Sequence, residues 1–408
     1  MVRAESSGIL GVIGVGGETD KRKPFSLLII GGVDSKGHPL DIVLMVIYAT
    51  ICLGFLVLIH EGGHYLASRA FGVRVSEFML GLPGPSIGFT RGDTRFGVTA
   101  VPLGGYARVC GMEPGEMSPH LKAAMASVYA RGEALMEDVA ADCGISDDEA
   151  YDALEELVEW GSITGPTKKD EFNTYRTPAV NPTRKEIRRA RAAGDPVPQK
   201  LAGGTPRPLS DVDAFFVAEY KHQYRSLPYW KKSVILLAGI TMNILFALLA
   251  FIIIYSVMGF DYQIVATGEV THVTVSPWRA IQAGFVYIGM VVQAVVGLFN
   301  PATVADTVSN STSIMGIAVL SKSAAEQGFE SFLSFTAMLS VSLGIMNLLP
   351  IPPLDGGRWV VETVARIRRR SVSVKVLNTL SMVGMALFVL LFVVMMNQDI
   401  QRFVFGNW

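Results

Sequence analysis

The sequence predicts a polytopic α-helical membrane protein with four transmembrane helices, a small membrane-associated β-sheet and a cytoplasmic winged-helix-like insertion. Half of the 408 residues are hydrophobic and only 17% are charged, whereas an average soluble domain carries roughly a quarter charged residues. The chain contains several long apolar runs, and most ionisable residues lie between the first and second of these runs. A soluble insertion within a membrane core accounts for both observations.

The predicted transmembrane helices cover residues 42–59, 234–258, 332–349 and 377–396. Each approaches the roughly 20 residues that a helix needs to cross a bilayer, the first by continuing into the polar residues that follow it. A fifth apolar run, residues 285–299, has only about 15 residues and is short for a span.

The distribution of basic residues predicts the topology. Lys and Arg are abundant between the first and second runs and again between the third and fourth, but only Arg279 and Lys322 lie between the second and third. Both basic regions are cytoplasmic if there are four spans, as the positive-inside rule requires. Residues 278–299 are therefore expected to form an interfacial or re-entrant helix, and both termini to lie outside the cytoplasm.

The regions between the spans complete the predicted organisation. Short β-prone segments within residues 73–102 predict a sheet of about three strands, and the order helix, helix, hairpin over residues 112–178 resembles a winged helix. The predicted domains are an N-terminal extension (1–40), the first helix with the sheet (41–111), the insertion (112–178), a mobile basic linker (179–228), the remaining helices (229–396) and a tail (397–408).

The second helix of the insertion argues against DNA binding. A capping box begins at Ser146, and the helix from Asp147 to Trp160 carries seven acidic residues and no basic one. DNA phosphates would repel such a surface. We expect no nucleic-acid partner, and if the insertion binds anything, we expect a protein.

The strongest chemical signal is His60-Glu61-Gly62-Gly63-His64 at the inner end of the first predicted span. On a helix, His60 and His64 share one face, so both imidazoles can bind one metal ion, and Glu61 can reach a water molecule on that ion. Ionisable side chains are costly to desolvate at membrane depth, which favours a functional role over a chance match.

A third metal ligand is expected because a catalytic zinc usually has three protein ligands. Asp355 is the acidic residue at membrane depth, following the third span in a stretch of prolines and glycines that breaks the helix. Considered alone, Asp355 could equally cap a helix. The remaining histidines lie in polar segments, and the three cysteines are widely spaced with no CxxC pair, which disfavours a thiolate site.

Together these motifs resemble the site-2 protease family of intramembrane zinc metalloproteases. The HEGGH motif and residues 347–357, NLLPIPPLDGG, carry the resemblance. Residues 102–106, PLGGY, are similar to the motif that follows the embedded sheet in the bacterial branch, residues 238–243 to the start of its second span, and residues 313–318 to a segment before the third. Residues 260–283 are too few for the PDZ domain that relatives often carry there.

The resemblance implies proteolysis within the membrane. Zn²⁺ on His60, His64 and Asp355 would activate water, and Glu61 would act as general base. Asn243 and Asn347 would stabilise the oxyanion or hold the substrate, although an interhelical hydrogen bond is as plausible for each. The sheet edge at Gly104 and Gly105 would pair with the unwound substrate.

The expected substrates are single-span membrane proteins, such as anti-sigma factors or signal-peptide remnants, and the expected location is the bacterial inner membrane. The remaining alternatives are a metal-ion transporter and a membrane-tethered regulator. A transporter would not need a glutamate beside the first histidine, and the acidic helix disfavours a DNA-binding regulator.

Overall fold

A computed structural model describes residues 39–405, apart from residues 102–103, 114, 168–169, 171, 183, 264–269 and 371. The predicted N-terminal extension therefore lies almost entirely outside the described residues, as do the last residues of the predicted tail.

The first membrane helix leads directly into a sheet. Helix α1 spans Pro39–Ala70. The strands are β1 (Val75–Leu80), β2 (Ser86–Arg91), β3 (Thr94–Thr99) and β4 (Gly105–Val109), in the order β2-β3-β1-β4. Strand β3 runs parallel to β1, and the other pairs are antiparallel.

The sheet has one more strand than the three that the sequence predicted. Strand β4 was missed because it begins at a glycine pair and has five residues, too few for a clear alternating pattern. At the opposite edge, Ile87 and Phe89 on β2 are 88% and 65% exposed. Apolar side chains this exposed are typical of a lipid-facing surface.

The inserted module has its own hydrophobic core. Its elements are α2 (Leu121–Arg131), β5 (Glu133–Leu135), α3 (Met136–Cys143), α4 (Asp147–Glu159), β6 (Thr174–Arg176), α5 (Arg184–Ala193) and α6 (Val212–Lys221). Strands β5 and β6 are antiparallel, and Thr164 bridges to Arg176 beside them. Leu154, Trp160 and Tyr175 are fully buried at the centre of this core.

The segment predicted as a mobile basic linker contains α5 and α6, and its described residues fold back onto the module. Val180 and Leu201 form a β-bridge, and the Thr177 hydroxyl donates to the carbonyl of Thr205. Prolines and charges suggested mobility, but the apolar side of α6, including Phe215, packs on the module core.

Seven further helices and two strands follow in the described part of the chain. These are α7 (Tyr229–Ile252, continued by a π-helical segment Ile253–Met258), the hairpin β7 (Phe260–Gln263) and β8 (Val270–Val273), α8 (Pro277–Gly297), α9 (Val304–Ser309), α10 (Ile314–Glu326), α11 (Phe329–Asn347), α12 (Asp355–Arg368) and α13 (Val374–Phe403).

Helices α1 and α7 pack closely in opposite directions. Phe55 contacts the ring of Phe246, and further along α1 His64 reaches the carbonyl of Ile235. Helix α11 packs on α7, where the Ser340 hydroxyl donates to the carbonyl of Asn243. These contacts make α1, α7 and α11 the scaffold of the membrane core.

Five of the described helices are long and apolar enough to cross a membrane by length and composition: α1, α7, α8, α11 and α13. The sequence predicted four. Helix α8 is the addition, because it begins at Pro277, a favoured first helical position, and has 21 residues instead of about 15. The apolar run alone understates the length of this helix, because the first two turns of the helix contain polar residues and precede that run.

Candidate metal centre

Two helices that are far apart in the sequence supply the candidate metal ligands. His60 and His64 lie one turn apart on the same face of α1, and both are buried. Asp355 is the first residue of α12, directly after the proline-rich break that ends α11. The break turns the chain so that the start of α12 returns to α1.

The three side chains converge on one point. Asp355 Oδ2 lies 2.9 Å from His60 Nε2 and 3.1 Å from His64 Nε2, and the two Nε2 atoms are 3.3 Å apart. Within the described part of the chain, this is the one group of three His, Cys, Asp or Glu residues whose ligand atoms lie within 4.8 Å of one another.

The donor set fits a zinc ion. Zinc binds imidazole nitrogen and carboxylate oxygen at about 2.0–2.2 Å in tetrahedral geometry, which places neighbouring ligand atoms roughly 3.3 Å apart. The observed separations are close to that value. Gly239 on α7 preserves the space, since a Cβ atom there would come within 2.5 Å of His64 Nε2 and 2.7 Å of His60 Nε2.

A backbone carbonyl fixes the orientation of His64. Its Nδ1 lies 2.7 Å from the carbonyl oxygen of Ile235, so Nδ1 carries the proton and donates it. In the neutral imidazole the other nitrogen, Nε2, is then unprotonated, and it faces His60 and Asp355. Metal-binding histidines are commonly held in this way.

Asn243 lies beside Nδ1 of His60, as the Ile235 carbonyl lies beside Nδ1 of His64. Its side chain is buried, Nδ2 lies 3.3 Å from His60 Nδ1, and Oδ1 has no hydrogen-bond partner. The oxygen and nitrogen of an amide exchange places when it turns by 180°. In that orientation Oδ1 accepts from His60 Nδ1–H, which satisfies the amide and leaves His60 Nε2 free for a metal.

Glu61 lies beside the three ligands and bonds to the sheet. Its Oε2 accepts from the backbone N–H of Ala107 on β4 at 2.9 Å. The close approach requires Gly105, where a Cβ atom would lie 2.6 Å from Val57 and 3.4 Å from the Glu61 side chain. Glu61 is thus a partly exposed carboxylate next to the ligand cluster and outside it.

The structure brings together some of the predicted residues and separates others. Gly104 and Gly105 lie at the start of β4 near Glu61. Asn347 is half-buried at the end of α11, and among the described residues no hydrogen bond joins its side chain to the ligand cluster. Sequence reasoning missed the direct roles of Gly239 and the Ile235 carbonyl, because neither residue type signals a metal site.

Comparisons with known proteins agree with this geometry. The model of peptidase family M50 matches residues 48–391. The zinc metalloprotease RasP of Geobacillus kaustophilus is 23% identical, with 86% of this chain aligned to 97% of that protein. The RasP of Oceanobacillus iheyensis is 24% identical, with the same coverage of both chains.

Proposed function

The chain belongs to peptidase family M50, the site-2 protease family of zinc metalloproteases, and from that premise we propose that it hydrolyses peptide bonds in or beside the membrane-spanning segments of single-span proteins. The observation that carries the proposal is the convergence of His60, His64 and Asp355 at the inner end of an apolar helix. We place the protein in the bacterial inner membrane as a multi-pass enzyme.

His60, His64 and Asp355 would hold the zinc ion, and Glu61 would move the protons. Bound zinc supplies a Lewis acid that polarises the scissile carbonyl and acidifies water. Glu61 takes a proton from the attacking water through its carboxylate and then delivers it to the leaving amine. Its position beside the cluster, without itself belonging to it, suits a base.

Asn243 and Asn347 are not equally good candidates for binding the substrate. Asn243 contacts His60, so it can orient that ligand, and any contact with the oxyanion would compete with this role. Asn347 makes no contact with the ligand cluster among the described residues, which leaves its amide available for the substrate. Asn347 is the better candidate for the oxyanion.

The substrate strand is proposed to add to β4. Strand β4 pairs with β1 on one side only, and the Ala107 N–H points away from β1 toward Glu61. A spanning helix must unwind before cleavage, and its freed backbone groups need partners within the membrane. An edge strand beside Glu61 supplies them.

Disulfide trapping would test strand addition. In a protein whose native cysteines are replaced, Arg108 is changed to Cys and paired with single cysteines along a model substrate. Cross-linking at every second substrate position supports an added strand, because side chains alternate along a strand. A repeat of three to four positions would indicate a bound helix and contradict the proposal.

We propose that four of the five candidate helices cross the membrane and that α8 does not. Helices α7 and α13 both begin near α12, so they end on the opposite side. Helix α8 starts beside the end of α7, where Val275 N–H donates to the Tyr255 carbonyl. Beyond its other end, Ser313 bonds to Asp399 near the end of α13. These contacts support a topology in which both ends of α8 lie on the same side of the membrane.

Cysteine labelling would test this topology in intact cells. Single cysteines at Asp152 and Arg369 should be protected from an impermeant reagent, and one at Trp278 should react. All three of these side chains are exposed in the structure. Protection of Asp152 together with labelling of Arg369 would show that α8 crosses the membrane.

The inserted module is proposed to be winged-helix-like and to act on proteins. Its order of helix, strand, two helices and paired strands fits that fold, and the acidic α4 argues against DNA. We propose that residues 119–178 recruit a substrate's cytoplasmic tail or restrict entry. Structural support for the membrane core is the alternative of equal weight.

Deletion of the module, bridged by a Gly/Ser linker, separates the two roles. If the module recruits or gates substrates, the deletion variant should cut a tail-less substrate as well as the full protein does, while its choice among natural substrates changes. Loss of folded, zinc-loaded enzyme supports the structural role.

The central experiment is cleavage in detergent. Purified protein is incubated with a panel of single-span substrates, alone, with a chelator, and after zinc is restored. Zinc-dependent cleavage within the membrane-spanning segment supports the proposal. Failure to cut any substrate despite full zinc content would favour a metal-binding role without proteolysis, such as transport.

A further inference from the structure

A cavity with a strongly basic lining lies between the start of α7 and the end of α12. Its volume is about 390 Å³. The polar residues that line it are Tyr229, Lys232, Glu362, Arg366, Arg369 and Arg370. The Tyr229 hydroxyl bonds to that of Thr363 at 2.8 Å, which holds the two helices together beside the cavity. The candidate metal ligands are at the other end of α12.

The charges in this cavity do not balance. Lys232 and Glu362 form an ion pair at 2.7 Å, so they satisfy each other. For Arg366, Arg369 and Arg370, no carboxylate in the described part of the chain lies within ion-pair distance. Three arginines thus line the cavity without a carboxylate partner in the described part of the chain, and guanidinium groups match the geometry of phosphate oxygens.

The backbone of Arg369 is strained in a way that favours a role for its side chain. Arg369 ends α12 with φ of 53°, and it is the one non-glycine residue with positive φ in the described ranges. Glycine usually occupies this position after a helix, because a Cβ atom is unfavourable there. An arginine held in this conformation places a cation at the cavity wall, and such outliers often mark functional sites.

The surroundings of the cavity place it at the level of lipid headgroups. Trp230, next to Tyr229 at the start of α7, is 57% exposed, and the Lys231 ammonium lies 5.5 Å from the centre of its ring. Exposed Trp and Tyr at the end of a membrane helix mark the membrane–water interface. The basic residues therefore face the depth at which lipid phosphates lie.

We propose that this cavity binds the phosphate of an anionic phospholipid headgroup. Basic pockets between helices on the cytoplasmic side are suited to such lipids. The general excess of positive charge on the cytoplasmic side would explain exposed arginines, but it explains neither their arrangement around a cavity nor the backbone of Arg369. The proposal does not depend on proteolysis, so its outcome and that of the proposed function are independent.

Lipid-induced thermal stabilisation tests the site. Full-length protein in detergent is titrated with short-chain phosphatidylglycerol, short-chain phosphatidylcholine or inorganic phosphate, and the midpoint of thermal unfolding is measured. We expect a saturable upward shift with phosphatidylglycerol alone. An equal shift with phosphatidylcholine would overturn the proposal, and an equal shift with inorganic phosphate would reassign the cavity to a free anion.

Charge-matched variants locate the effect. The triple variant R366Q/R369Q/R370Q should lose the shift, whereas R188Q/R189Q/R191Q, which removes the same charge from the exposed helix α5, should keep it. Equal loss in both variants would mean that overall charge, and not this cavity, attracts the lipid.

The single variant Arg369→Gly separates binding from folding. Glycine relieves the positive φ, so without lipid the unfolding midpoint should rise. The same variant lacks one guanidinium group, so the phosphatidylglycerol-induced shift should be smaller than in the unchanged protein. A phosphatidylglycerol-induced shift as large as that of the unchanged protein would contradict a binding role for this side chain, whatever happens to the lipid-free midpoint.

Discussion

The membrane core and the inserted module both contain clusters of ionisable groups, but these clusters differ in what surrounds them. In the core, His60, His64 and Asp355 share one point, and their outer atoms are held by neighbouring helices. In the module, α4 carries a row of acidic residues that bond separately to nearby donors. Glu156, for example, accepts from Ser118 N–H. Convergence of several ligand atoms, not the number of charges, distinguishes a site from a solvated surface.

The two regions meet at a largely buried ion pair. Arg74, just before β1, donates to both carboxylate oxygens of Glu219 on α6 at 2.8 and 3.2 Å, and also to the carbonyls of Trp160 and Gly161. Burial alone would raise the pKa of Glu219, but the hydrogen bonds and charge of Arg74 outweigh it and lower that pKa. The largely buried Arg74–Glu219 ion pair therefore attaches the module to the core.

The largest expected effect is in the core. Glu61→Gln should reduce cleavage by about 10²–10⁴-fold while zinc content stays near one per chain, because it removes the base and no ligand. The control is Glu155→Gln in α4, an exposed carboxylate of the module, which should leave activity unchanged. Full activity in Glu61→Gln would exclude the mechanism.

Removing a ligand should affect zinc content along with activity. Asp355→Ala should lose zinc under mild chelation, measured by metal analysis. The control is Asp261→Ala, since Asp261 lies 2.9 Å from His272 in an exposed pair with no third ligand. Stoichiometric zinc in Asp355→Ala would show that another residue completes the site.

The junction between the two regions should contribute less, at about 3 kcal/mol. Arg74→Met leaves Glu219 buried without its partner, and breaking a buried pair is costly. Lys122→Met breaks the exposed pair with Asp213 and should cost about 0–1 kcal/mol. Hydrogen exchange of the module measures the difference, and equal protection in both variants would mean that the junction does not fix the module.

The smallest effect should appear on acidification. A lowered pKa means that Glu219 stabilises the folded state above its unfolded pKa of about 4.3, and that this contribution is lost as pH falls through the folded value. Burial raises the pKa of Glu159, so its contribution has the opposite sign and is lost as pH rises. Glu159→Gln removes this buried charge and should therefore raise stability at neutral pH slightly, by less than about 0.5 kcal/mol.

A pH titration of unfolding for Glu159→Gln and Glu219→Gln checks these signs. Glu219→Gln should flatten the loss of stability in acid, and Glu159→Gln should steepen it. Identical pH profiles for the two variants would contradict the assignment.

The sequence was most informative where chemistry and local spacing coincide. The HExxH spacing predicted two candidate metal ligands on one helix face, and Asp355 stood out as an acid at membrane depth. The pairing of Asn243 with His60 could not be derived, because 183 residues separate them and helix packing sets the contact. The same holds for Arg74 and Glu219, which are 145 residues apart, and for β4, whose pattern is too short to identify.

The hydrogen bond between Ala107 N–H and Glu61 has a consequence for the order of events. An added substrate strand would need this same N–H for its own carbonyl, since the edge of β4 offers it to one acceptor at a time. The substrate carbonyl and Glu61 would therefore compete for the Ala107 N–H, and binding of the substrate strand would displace the Glu61 carboxylate. A hydrogen bond to a charged group contributes about 1.5–3 kcal/mol. Losing the Ala107–Glu61 hydrogen bond is therefore unfavourable unless the substrate strand forms a new hydrogen bond with the same N–H. Without substrate, Glu61 would therefore remain bound to β4, and binding of the substrate strand would release its carboxylate for catalysis.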